Sequence, residues 1–116
     1  MKKMMFSLIL AAVAFALPCL ADTEFAYCSA KVSVGAEVRV FYSEVFSYDD
    51  PHAISATFSL PFSSYVEATY ENARNASVCW LLKKTRGEAR AASDADKASN
   101  RRIGYQIVET TWRWEK

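Results

Sequence analysis

The sequence predicts an α+β fold: a four-stranded mixed sheet with two helices packed on one face, in the order β-β-α-β-α-β, tied by one disulfide. An alternating stretch from Phe25 to Phe46 predicts a hairpin. The stretch from Val78 to Trp112 predicts a strand, a helix and a second strand. The third observation is a pair of cysteines, because an even pair in an exported chain is typical of a disulfide.

Residues 1–21 have the composition of a cleaved secretory signal peptide. Lys2-Lys3 forms a positively charged start, Phe6 to Leu17 is a short apolar run, and small residues precede Asp22 at the −3 and −1 positions. We therefore expect cleavage before Asp22 and a periplasmic or secreted protein that does not span the membrane, since a span takes about 20 apolar residues. Lipidation of Cys19 is an alternative way of processing the same segment.

Residues 22–116 should then form a single small α+β domain of 95 residues. Without Lys2 and Lys3 this part holds 12 basic and 13 acidic side chains, a net charge of −1. That balance argues against a nucleic-acid partner, because binding to phosphates needs an excess of basic groups. The signs are segregated: residues 22–73 hold eight acidic and two basic groups, and residues 74–102 hold eight basic and three acidic groups.

Two cysteines remain after removal of the signal peptide, Cys28 and Cys79. We expect them to form a disulfide that closes a loop of about 50 residues, for which chain entropy gives a stabilisation of roughly 4 kcal/mol. A metal or redox role is less well supported. The chain has no C-x-x-C pair, and its single histidine cannot complete a four-ligand zinc site.

The first two strands should pair as an antiparallel hairpin. Phe25 to Val32 and Glu37 to Phe46 each alternate apolar and polar residues, and Gly35 lies in the turn between them. One face of the pair is more apolar than the other, which fixes the register.

A loop and a helix should follow the hairpin. Ser47 to His52 has a loop composition and contains the only histidine, which we interpret as an exposed turn residue rather than part of a metal or acid–base site. Proline is favoured in the first turn of a helix, so we expect the helix to begin near Pro61. Its amphipathic stripe would consist of Phe62, Tyr65, Val66, Thr69, Tyr70 and Ala73.

The second helix has clear signals at both ends. Thr85 and Glu88 have the spacing of a capping box, and Gly104 follows Arg102 as a left-handed terminator. An alanine-rich side should lie on the sheet, and its members are Ala91, Ala92, Ala95, Ala98, Ser99 and Ile103.

The strands Val78–Leu82 and Tyr105–Trp112 flank this helix and complete the sheet. If the disulfide lies on the face that carries the helices, alternation turns Tyr27 and Trp80 to the other face. An open face with exposed aromatic rings is the first candidate binding surface.

Two further surfaces are candidates. The chain end carries Trp112, Arg113 and Trp114, with both tryptophans on one side by alternation. Tryptophan and arginine dominate interface hot spots, although tryptophans near a chain end also complete small cores. The third surface is the acidic loop from Tyr48 to His52.

Catalysis has little support in the sequence. No nucleophile elbow, zinc-protease motif or glycine-rich phosphate loop occurs, so we expect neither an enzyme nor a cofactor. The leading hypothesis is a small binding domain with a protein partner in the cell envelope, similar in role to an inhibitor or immunity protein. Recognition of a cell-wall glycan or small ligand by the open sheet face and self-association as a structural subunit are the alternatives.

Overall fold

The computed structural model describes residues 23–70 and 73–115. The signal peptide, the cleavage site before Asp22 and the lipidation alternative at Cys19 lie outside the described residues. The described elements, in chain order, are β1 (Glu24–Val34), β2 (Glu37–Tyr42), β3 (Phe46–Tyr48), α1 (Ser55–Thr69), β4 (Ala76–Lys83), α2 (Arg86–Ile103) and β5 (Gln106–Glu109). No helix among these residues has the length and apolar character needed to cross a membrane.

The sheet is mixed, as predicted, and β1 is its central strand. β4 pairs with one edge of β1, while β2 and β3 pair with different parts of the other edge, all of them antiparallel. β5 lies beside β2 and runs parallel to it. The sheet therefore has five strands rather than four, and the order is β-β-β-α-β-α-β.

The extra strand arises because the predicted strand Glu37–Phe46 is interrupted after Tyr42. The Ser43 hydroxyl accepts a hydrogen bond from the backbone N–H of Cys28 at 2.8 Å, and the Ser43 N–H donates to the Cys28 carbonyl at 2.9 Å. A side chain thus takes the place of a backbone group in the ladder. The chain resumes pairing with β1 only at Phe46.

The two helices lie on opposite faces of the sheet, so the prediction of both helices on one face is wrong. Along β1, Ala26 and Cys28 belong to the core cluster under α1, whereas Tyr27 belongs to the cluster under α2. The chain crosses the sheet in one direction from β3 to β4 and returns in the other direction from β4 to β5. Crossovers of the same hand that run in opposite directions place their helices on opposite faces.

The larger core lies between the sheet and α1. Phe58, Phe62 and Val66 are fully buried and follow one another at helical spacing. The helix begins at Ser55, six residues before the predicted start, and Pro61 lies inside it. Its first turn is closed by the Thr57 hydroxyl, which accepts a hydrogen bond from the Ile54 N–H at 3.1 Å, so the start does not depend on proline.

The predicted disulfide between Cys28 and Cys79 is present and joins directly opposed residues of β1 and β4, with 4.0 Å between their Cα atoms. The Cys79 N–H points away from β1 and donates to the Ser55 hydroxyl at 2.9 Å. The first residue of α1 therefore covers part of the edge of β4, and the disulfide fixes the register of the central pair of strands.

Both predicted ends of α2 are confirmed. The Thr85 hydroxyl accepts from the Glu88 N–H at 3.0 Å, the Glu88 carboxylate accepts from the Thr85 N–H at 3.3 Å, and Gly104 has a φ of 103°. The side of α2 that packs is different from the predicted one. Ala89 and Ser93 are buried, whereas the expected contact residues Ala91, Ala95, Ala98, Ser99 and Ile103 are exposed.

Candidate functional site

The chain end is held against the sheet after β5 stops. The backbone N–H and the hydroxyl of Thr110 both donate to the Tyr42 carbonyl, at 2.9 and 2.8 Å. Two residues later the Trp112 carbonyl accepts from the Glu44 N–H at 2.8 Å. Residues 110–115 therefore run beside the interruption between β2 and β3 and across the core under α1.

Both tryptophans lie on one side of the chain end, as alternation predicts, and this side faces α1. The Trp112 ring lies 5.1 Å from the Phe62 ring and 5.9 Å from the Phe46 ring, and the Trp114 ring lies 5.1 Å from the Phe58 ring. Both indoles are half-buried. They complete the core on one side of their rings and leave the other side to solvent.

Trp114 forms one wall of a cleft of about 440 Å³, called the acidic cleft below. The opposite wall is the loop after β3, so two of the predicted surfaces, the chain end and the Tyr48–His52 loop, meet at one place. The residues that line the acidic cleft are Thr23, Ser47, Tyr48, Asp49, Asp50, Thr57, Phe58, Trp114 and Glu115.

The charge of the acidic cleft is of one sign. Asp49, Asp50 and Glu115 contribute carboxylates, and none of the described residues that line it is basic. The Asp50 carboxylate accepts from the backbone N–H of His52 at 2.8 Å, and the Glu115 carboxylate accepts from the Arg113 guanidinium at 3.0 Å. These bonds orient two of the carboxylates, and the Arg113 guanidinium offsets part of the charge of Glu115.

Tyr48 supports the base of the acidic cleft. Its hydroxyl donates to the Glu24 carboxylate at 3.2 Å and accepts from the Leu82 N–H at 2.8 Å. Burial raises the pKa of the Tyr48 phenol above the usual value near 10, so the hydroxyl stays neutral. Since the ring is buried between these partners, it positions the neighbouring loop rather than offering a reactive group.

A second depression continues from the same loop toward β4. It shares Tyr48, Asp49 and Asp50 with the acidic cleft and adds Leu82 and Lys84. Leu82 is 68% exposed and has a φ of 71°, a left-handed conformation that costs a branched residue roughly 1–2 kcal/mol. It lies where β4 carries one extra residue between its pairings with β1.

The sheet face expected to be open is covered by α2. Tyr27 is only 3% exposed, its ring stacks on the Trp80 ring at 5.0 Å, and its hydroxyl donates to the Ala92 carbonyl of α2 at 3.5 Å. Trp80 is half-buried at the side of the same helix. The glycan alternative therefore loses the surface on which it was based, because the face is a helix interface.

Arg113 points away from the two tryptophans, as alternation requires. Its guanidinium lies 3.8 Å from the Glu44 carboxylate and 3.0 Å from that of Glu115. It lines a separate cleft beside α2 rather than the acidic cleft. Trp114 and Arg113 therefore line two different clefts.

The described residues do not bring metal-ligating side chains together. No group of three or more His, Cys, Asp or Glu side chains among them could hold a metal ion. His52 is exposed. The acidic cleft combines an aromatic ring with carboxylates and is a candidate binding site.

Sequence reasoning missed Phe58, which lines the acidic cleft. Phe58 precedes Phe62 by four residues, so the helical spacing could have been followed back past Pro61. Comparison of the chain with protein-family models, with curated proteins and with solved structures finds no significant match.

Proposed function

We propose that this protein is a small exported binding domain whose acidic cleft captures a basic side chain of a protein partner in the cell envelope. The observation that supports this most directly is the meeting of Trp114 with Asp49 and Asp50 at the two walls of one cleft. An aromatic wall and a carboxylate wall match the two halves of an arginine or lysine side chain, which has an apolar stem and a charged head.

The physical case rests on complementarity of charge and shape. A cation placed over an aromatic ring at an exposed site gains about 0.5–1 kcal/mol of interaction free energy. Among the rings of Trp, Tyr and Phe, the Trp ring attracts a cation most strongly. Carboxylates next to that ring add charge-assisted hydrogen bonds. Anionic groups such as phosphates would be repelled by the same carboxylates.

The surface around the cleft suits a peptide segment better than an isolated amine. The neighbouring depression offers the exposed Leu82 side chain for an apolar contact beside the basic residue. Large apolar contacts next to a charged pocket are typical of protein interfaces. The partner should therefore present a basic residue followed or preceded by an apolar one.

The proposal is tested by calorimetric titration of the purified, oxidised protein with the peptide acetyl-Leu-Arg-Gly-amide and with its citrulline analogue. We expect saturable binding of the arginine peptide only. Asp50→Asn keeps the oxygen that accepts from His52 and removes the charge, and should weaken binding about fivefold, the equivalent of about 1 kcal/mol. Trp114→Ala should weaken it further.

Glu67→Gln is the matched control, because Glu67 is an exposed acid on α1 that does not line the cleft. It should bind as the unmodified protein does. Equal affinity for the arginine and citrulline peptides, or equal losses in Asp50→Asn and Glu67→Gln, would overturn the proposal.

A further inference from the structure

A second cleft, of about 560 Å³, lies on the other side of the chain end and is called the basic cleft here. One wall is formed by residues 86–97 of α2, and the other is formed by residues 43–45 and 109–111 together with Arg113. Along α2 the lining residues Arg86, Arg90, Ser93 and Lys97 follow one another at spacings of four, three and four. This spacing puts three cations and a hydroxyl on one stripe of the helix.

The charges of the basic cleft are unequal. Its four basic residues are Arg86, Arg90, Lys97 and Arg113, and its three acidic residues are Glu44, Asp94 and Glu109. The sum is a net charge of +1 among the residues that line the cleft.

Two of the cations are already paired. The Lys97 ammonium lies 2.9 Å from the Glu109 carboxylate, and the Arg113 guanidinium lies 3.8 Å from that of Glu44. The hydrogen bond from Lys97 lowers the pKa of Glu109, so this acid stays ionised and neutralises Lys97. The Lys97–Glu109 pair joins the two walls of the cleft, and the two pairs together contribute little net charge.

The other two cations, Arg86 and Arg90, have N–H donors that none of the described residues uses. Arg86 lies over the Phe25 ring at 5.1 Å and uses one nitrogen to donate to the Val45 carbonyl at 3.3 Å, whereas a guanidinium has five N–H donors. Arg90 forms no ion pair or hydrogen bond with the described residues. It lies one helical turn beyond Arg86, so the two guanidinium groups can converge on one ligand.

Ser93 supplies a polar group at the floor of the basic cleft. It is 3% exposed and lies on the same stripe as Arg90 and Lys97. Its hydroxyl can donate to an oxygen that the two arginines hold. The planar fork of a guanidinium group matches the geometry of carboxylate and phosphate oxygens. A lysine ammonium does not match this geometry, because it is a compact point charge.

We propose that the basic cleft binds an oxyanion, the carboxylate or phosphate group of a small ligand, through Arg86, Arg90 and Ser93. The volume lies within the range of small-molecule sites, about 300–1,000 Å³. This site is separate from the acidic cleft, so its failure and that of the proposed function are distinguishable.

The test is a titration of the isotope-labelled protein with inorganic phosphate and, separately, with succinate, at low ionic strength with chloride as background. We expect saturable shifts of the backbone amides of residues 86–97 with at least one of the two anions, and the anion that binds identifies the ligand chemistry. Arg90→Gln should weaken binding about tenfold, and Ser93→Ala should weaken it less.

Arg102→Gln is the matched control, since Arg102 is exposed on α2 but does not line the cleft. It should leave the affinity unchanged. Absence of saturable shifts with both anions, or equal losses in Arg90→Gln and Arg102→Gln, would overturn the proposal. Arg90 is exposed, so its replacement leaves the fold intact and the comparison valid.

Discussion

Removal of the Tyr42 hydroxyl should weaken the attachment of α2 to the sheet. Tyr42 is 0% exposed, and its hydroxyl donates to the Asp96 carboxylate at 2.8 Å and accepts from the Asn100 amide at 2.6 Å. Both partners lie on α2, whose only buried side chains are Ala89 and Ser93 among the described residues. With so little apolar contact, these two hydrogen bonds carry a large share of the helix attachment.

The expected cost of Tyr42→Phe is about 2 kcal/mol of unfolding free energy. A hydrogen bond to a charged group contributes roughly 1.5–3 kcal/mol, and Asp96 is half-buried, so water replaces part of the lost bond. The control is Tyr105→Phe. Tyr105 is half-buried on the same side of the sheet, and its hydroxyl forms no hydrogen bond with the described residues, so this variant should change the free energy by less than about 0.5 kcal/mol.

The Tyr42 hydroxyl should also make the free energy of unfolding depend on pH. Burial, and then the hydrogen bond to Asp96, raise the pKa of Tyr42 above the unfolded value near 10. Its stabilising contribution is therefore complete below pH 10. As the pH rises above 10, the unfolded chain loses this proton while the native state retains it, so stability falls by about 1.4 kcal/mol per pH unit for this group.

Urea unfolding followed by circular dichroism, at pH 7 and at steps between pH 10 and pH 11.5, measures both effects. Tyr42→Phe should be less stable than the unmodified protein at pH 7, and the difference should shrink as the pH rises. A variant as stable as the unmodified protein at pH 7, or a difference that stays constant from pH 10 to 11.5, would refute the assigned role of the hydroxyl.

Three more changes test the fold by the same unfolding measurement. Replacing Cys28 and Cys79 together with alanine should lower the unfolding free energy by about 4 kcal/mol, because the bond spans 51 residues of sequence; a loss under about 1 kcal/mol would contradict this. Leu82→Gly should raise stability by up to about 1 kcal/mol, since glycine accepts a positive φ, whereas Val78→Gly on the same strand should lower it by about 1 kcal/mol. Equal effects of the two glycines would remove the backbone-strain argument. Thr85→Ala should cost about 1 kcal/mol through loss of the helix cap, and no change would mean that the cap does not form in solution.

Local and covalent signals predicted much of this fold. The cap at Thr85, the terminator Gly104 and the disulfide each depend on a few residues with strong intrinsic preferences, and all three are present. The alternation of Trp112 and Trp114 needed only extended backbone.

The wrong prediction of which side of α2 packs has a physical reason, because the packing side depends on the surface of the sheet that the helix meets. Alanine counts as apolar, so the alanine side of α2 was expected to pack, but the sheet presents the hydroxyls of Tyr27 and Tyr42 there. Asp96 and Asn100 meet the Tyr42 hydroxyl, and the Ala92 carbonyl accepts from the Tyr27 hydroxyl. Ala91, Ala95 and Ala98 remain exposed. Hydrophobic periodicity does not predict such a polar contact with the sheet, because it assigns polar residues to the solvent-facing side of a helix.

The sequence predicted the two segments that form the candidate site but not that they meet. The chain end and the acidic loop were both named from composition, but their meeting depends on the interruption at Ser43, which lets the tail lie beside Glu44. That interruption is a side-chain hydrogen bond within an otherwise regular strand pattern. The self-association alternative stays a prediction, checked by the molar mass in solution across protein concentrations.

The central claim is that the acidic cleft receives a basic side chain, and chemical-shift mapping with the acetyl-Leu-Arg-Gly-amide peptide tests it most directly. We predict that the largest shifts occur at the Trp114 indole N–H and at the backbone amides of residues 47–50, 57 and 115, with α2 unaffected. Shifts confined to α2, or spread evenly over the surface, would contradict the claim.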